Sequence, residues 1–150
     1  MQMSKESLAL LIGGILPAIL FGVSSVFQKT AAKAGFTTGP YLICIGLVVV
    51  VAGILLSLAQ EDTTTTRGGI GHACAYGVLW AAGIACIALA LAKYDARISQ
   101  LVPLYNLNTL VAVGIGLAVL GEWREVNVWR LLAGAILAVI GGVLAATSTR

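Results

Sequence analysis

Five apolar runs, 8–28, 41–59, 70–92, 98–120 and 128–147, follow one another with only short polar connections between them. Each holds about twenty residues, the length of α-helix needed to cross a hydrocarbon core about 30 Å thick. Lipid offers no partner to an unpaired N–H or C=O, so such a run is stable there as a helix, whose backbone bonds are internal. The connections 29–40, 60–69, 93–97 and 121–127 carry Gly, Pro, Thr and nearly all of the charge, and none is large enough to hold a domain of its own. Connections this short turn successive helices antiparallel and set them side by side. The pattern predicts an all-α integral membrane protein: a single domain, 1–150, of five transmembrane helices, multi-pass in the cell's inner membrane.

Charge punctuates the chain and does not line it. All six acidic residues and eight of the nine basic ones fall outside the runs, and the ninth, Arg130, stands at the start of the last. With 59% hydrophobic and 10% charged residues and a mean hydropathy of +1.00, the chain is more apolar than a soluble domain of its length. The first run follows Lys5 as a signal peptide would, but it is longer than an h-region. It passes into Ser24, Ser25, Gln28 and Lys29 without a small-residue cleavage site, which predicts a retained helix.

The net charge of +3 is scattered along the loops without a basic cluster and gives no support to nucleic-acid binding. Cys44, Cys74 and Cys86 lie in apolar runs and lack any CxxC or Cys/His spacing. They are expected to be reduced packing residues, and neither a metal nor a cofactor is expected. Five spans put the termini on opposite sides, so Lys5, Arg67, Arg124 and Arg130 share one face and Lys29, Lys33, Lys93, Arg97 and Arg150 the other. That near balance favours a cytoplasmic C-terminus only weakly and leaves insertion in both orientations open.

Polar side chains at membrane depth are costly unless they face a partner or a hydrated cavity. On the first helix, Pro17, Phe21, Ser24, Ser25 and Gln28 share one helical stripe, which serves either as interhelical glue or as the lining of a pathway. The third helix places Tyr76 and Trp80 four residues apart, with Gly83 completing the face. Trp80 lies too deep for an interfacial belt and is a candidate solute wall, whereas Trp123 and Trp129 sit where belts form. His72, at a helix start, reads as a solvated end residue. The fourth helix carries Pro103, Tyr105, Asn106, Asn108 and Thr109 toward the middle of its span, either as a helix–helix network or as a substrate cradle. Pro103 removes a backbone donor there. The fifth helix repeats small residues at Gly134, Ala138, Gly142 and Ala146, which allows close backbone approach within one chain or between two.

These residues carry a resemblance. Residues 96–146, with Pro103 in a polar-tinged helix closed by Gly121-Glu122 and a Gly-rich final helix, look like the end of an EamA-type repeat. The first helix, with Pro17 and Phe21-Gly22, Gln28-Lys29 at its end and Gly35-Phe36-Thr37 after it, is similar to EamA domains and to the small multidrug resistance proteins. The chain thus resembles one five-helix, EamA-like half-repeat of the drug/metabolite transporter superfamily, with one helix more than the four-helix relatives. The resemblance implies a transporter working by alternating access and built from two inverted units, here as a homodimer that the balanced charge would allow to be antiparallel. It departs from the small multidrug resistance proteins in one respect: no acid stands within 15–24 of the first helix.

Without a carboxylate at depth, a neutral or zwitterionic metabolite is the expected solute. Phe21, Ser24, Ser25, Tyr76, Trp80, Tyr105, Asn106, Asn108 and Thr109 are the expected substrate-binding residues. The partners are then a small-molecule solute, membrane lipid and a second copy. The alternative is an accessory or lipid-flipping membrane subunit without solute transport. An enzyme is not expected, since no intramembrane Asp pair, Ser/His arrangement, HExxH or phosphate loop is present.

Overall fold

The computed structural model describes residues 5–60, 64–119, 121–124 and 126–148. Among them the regular structure is entirely helical: α1 (Lys5–Leu10), a π-helical turn (Leu11–Ile15), α2 (Leu16–Lys33), α3 (Thr38–Ala59), α4 (Arg67–Lys93), α5 (Ile98–Tyr105), α6 (Asn108–Val119), a 3-10 turn (Glu122–Arg124) and α7 (Val128–Thr147). Five helical stretches are long and apolar enough to cross a membrane, Ser7–Lys33, Thr38–Ala59, Arg67–Lys93, Ile98–Val119 and Val128–Thr147, as a multi-pass membrane protein requires. Leu120, where the fourth apolar run ends, and Arg150 lie outside the described residues.

The first stretch runs five residues past the expected end at Gln28. Lys29–Lys33 are helix-compatible, and the stop is a glycine: Gly35 at φ +80° closes the helix in the left-handed region that favours Gly. Upstream, α1 and α2 join through the π turn, in which the Leu16 N–H reaches back five residues to Leu11 O. A proline ring collides with the carbonyl four residues before it. For Pro17 that carbonyl belongs to Gly13, which lies inside the widened turn.

The chain divides into two compact units, Met1–Asp95 and Ala96–Arg150. In the first, α2 and α3 both pack on α4. The packed seam holds Ser25 and Gln28 of α2 with Ala88 and Leu91 of α4, so contact concentrates in the C-terminal half of α4. Lys29 Nζ donates to Asp95 Oδ1 at 2.6 Å, tying the end of α2 to the end of α4. That contact fits the expectation that Lys29 and Lys93 share a face. Thr66 caps α4 by accepting the Gly69 N–H at 3.1 Å. Helix α3 is apolar all round, with a mean hydropathy of 3.0 over its best window, and buries no residue. A helix that apolar suits a lipid surround. The cysteines are all free, but all three are exposed. Cys44, Cys74 and Cys86, expected to be reduced packing residues, are not among the buried residues of the single chain.

In the second unit α5 lies along α7 more closely than α6 does. The two run antiparallel: Gln100 Nε2 donates to Ala146 O at 3.1 Å, and Pro103 O rests against Gly142, where a Cβ would stand 2.9 Å from that oxygen. The small-residue stripe of the last helix thus meets its partner within the unit at Gly142 and Ala146. Asn127 caps α7 by accepting the Arg130 N–H at 3.2 Å. The Arg124 guanidinium lies 5.0 Å from the Trp123 ring, a cation–π pair at the helix end.

Candidate functional site

The fourth span is the least apolar of the five, with a mean hydropathy of 1.6. It is not the continuous helix expected over 98–120. Pro103 has no N–H to donate, and beyond it Leu107 bonds Leu104 O at 3.0 Å, Thr109 bonds Asn106 O at 3.1 Å and Leu110 bonds Leu107 O at 3.0 Å. Each of these reaches back three residues where a regular helix reaches four, so the carbonyls of Pro103 and Tyr105 lose their usual donors. Asn and Thr side chains, which compete with the backbone for its own hydrogen bonds, stand at the break and weaken the helix further. The helix stops at Tyr105 and restarts at Asn108. At 1.5 Å per residue the interruption lies about 12 Å into the span.

Where α6 diverges from α7, a half-open cleft of about 580 Å³ forms, within the usual range for small-molecule pockets. Its walls are Pro103, Asn106, Leu107, Thr109 and Leu110 on one side and 135–145 of α7 on the other, where Ala138, Gly141, Gly142 and Ala145 leave the space open. No lining residue is charged. Asn106 and Thr109 bring an amide and a hydroxyl to a wall of aliphatic groups. Both side chains are exposed. The arrangement can exchange hydrogen bonds with a bound group while presenting no fixed charge.

The expected binding residues fall in both units. In the second, Asn106 and Thr109 come together on the cleft, while Asn108, exposed, and Tyr105, half-buried, do not line it. The break separates residues that a continuous helix would have put on one face. In the first unit the α2 stripe is split. Ser25 is buried and its Oγ donates to Gly22 O at 2.7 Å, whereas Ser24, exposed, donates to Phe21 O at 3.0 Å. Both hydroxyls are therefore satisfied by their own helix. Phe21, 67% exposed, faces away from the seam, as does Tyr76 at 70%. Trp80 is 37% exposed and lies eight residues before Ala88, ahead of the packed part of α4. His72 is exposed near the start of α4.

Two features escaped the sequence reading. Leu107 and Leu110, at and just beyond the break, are cleft walls. Gln28, read as one member of a stripe, is 8% exposed and held in the α2–α4 seam. Ala88 is buried on α4 and walls the same small cavity as Gln28. Among the described residues there is no group of three or more His, Cys, Asp or Glu placed to hold a metal. No protein-family model, curated protein or solved structure matches the chain.

Proposed function

We propose that this chain is a small-molecule membrane transporter that works by alternating access as a homodimer of five-helix units, resembling a half-repeat of the drug/metabolite transporter superfamily in the cell's inner membrane. The observation that carries the reading is the helix interrupted mid-span beside a cleft, with Asn106 and Thr109 on its wall. Discontinuous helices at membrane depth are tolerated where they are buried in protein or line a hydrated cavity, and transporters build solute sites from them. The uncharged lining supports a neutral or zwitterionic solute, since an ion entering without a counter-charge would lose its hydration uncompensated. Phe21, Ser24, Tyr76 and Trp80, exposed on the first unit, and Tyr105 and Asn108, beside the break in the second, are proposed as contacts that a second copy would complete, whereas Ser25, buried in the α2–α4 seam, is left out.

The test is solute flux into liposomes across a panel of polyols, sugars and amino acids. Asn106→Leu and Thr109→Val are expected to reduce flux of the transported solute while cross-linked dimer persists. A second reading, a lipid-flipping or accessory subunit, draws on the aliphatic side of the same cleft, where Leu107, Leu110 and Val139 would suit an acyl chain. Absence of flux for every solute, together with scrambling of a fluorescent phospholipid, would replace the first reading with the second.

A further inference from the structure

Gln28 presents a problem that solute transport does not answer. Its Nε2 is wholly enclosed and has no hydrogen-bond partner, although the residue lies within an apolar span and is 8% exposed. A desolvated amide donor left unpaired is among the costlier defects a fold can carry, more so where the surroundings hold no bulk water. Gln28 is also one of the five residues, with Ala32, Phe36, Tyr41 and Ala88, that wall a cavity of about 10 Å³.

The cavity is built by local chain chemistry. Gly35, at φ +80°, ends α2 in a Schellman turn: the Phe36 N–H reaches Ala31 O at 3.1 Å and the Gly35 N–H reaches Ala32 O at 3.0 Å. That turn folds Phe36 back over the last turns of α2. Tyr41, in the first turn of α3, supplies a wall with a hydroxyl, and Ala88, buried on α4, supplies a wall small enough to leave space. The volume is about that of one water-sized sphere, too small for a metabolite or an acyl chain. Water also answers the chemistry. It can accept from the amide nitrogen, and were the amide turned end for end it could donate to the oxygen instead.

We infer that this cavity is a single-water site, in which one water molecule accepts from the Gln28 amide and bonds the Tyr41 hydroxyl, fastening the α2–α3 turn to α4. The inference does not depend on the transport reading. It is tested on the full chain in lipid nanodiscs, with ¹⁵N-glutamine labelling, by water-to-amide NOE and ROE transfer. The Gln28 side-chain amide is expected to show a water cross-peak with the sign of a molecule bound for longer than the protein tumbles. Ala32→Val, which fills the cavity, is expected to abolish it while the Gln28 amide resonance persists. A wild-type Gln28 amide with no water cross-peak would overturn the inference. So would a cross-peak left unchanged by Ala32→Val, since the amide would then be meeting bulk solvent.

Discussion

Gly142 offers the sharpest test of how the second unit is packed. A Cβ built there would stand 2.9 Å from Pro103 O, half an ångström short of the 3.4 Å at which ordinary contact begins. The obstacle is backbone, so it cannot swing aside as a side chain would. Gly134, two turns earlier on α7, has open space at the same construction point. Alanine at either position gains the same helix propensity, about 0.5–1 kcal/mol, which cancels in the comparison. What remains is overpacking at Gly142, typically about 1–3 kcal/mol. Gly142→Ala is therefore expected to be less stable than Gly134→Ala by about 1–3 kcal/mol, roughly fivefold to more than a hundredfold in the folding equilibrium. Reversible unfolding in mixed micelles, titrated with denaturing detergent, measures the difference. Equal midpoints for the two variants would refute the close approach of α5 to α7 at Pro103, and with it the geometry of the cleft.

Two further outcomes follow from the first unit. Gly35→Ala forces a non-glycine residue to φ +80° and is expected to cost about 1–2 kcal/mol, seen as a lowered melting temperature, whereas Gly39→Ala in the open first turn of α3 is expected to cost nothing. Asp95→Asn removes the charge opposite Lys29 but keeps a residue tolerant of the left-handed backbone at φ 45°. Because the Asp95 side chain is 92% exposed, the loss is expected to stay below about 1 kcal/mol and to shrink as salt is raised; a larger, salt-independent loss would mean that the pair is desolvated.

How much was legible beforehand depends on which interaction decides each feature. The positions of the five helices were readable because lipid imposes a length, and 128–147 is met residue for residue by Val128–Thr147. The ends of the first helix were less so, since apolarity stops at Gln28 but helicity stops only where Gly35 turns. The break in the fourth span was half readable. Pro103 advertised a missing donor, but the interruption falls at Asn106 and Leu107, where side-chain competition and the lean of α5 on Gly142 decide it. For the same reason Asn106 and Thr109 came together while Asn108 did not. The roles of Ser25 and Gln28 depended on which half of α4 packs, and helical periodicity assigns a face without saying how far along it a neighbour reaches.

The π turn at Leu11–Ile15 bears on how the beginning of the chain is to be understood. Each residue of an α-helix advances the azimuth by about 100°, so a loop of helix wide enough to take in one residue more rotates everything before it by about that amount. The surface of 7–10 is consequently out of phase with that of 17–28, and the two would come into register if one residue between them were excised. The turn behaves as a built-in insertion: the helix on either side keeps its own orientation, and shortening it by one of the adjacent glycines, Gly13 or Gly14, would re-aim the N-terminal end while leaving the downstream helix where it is.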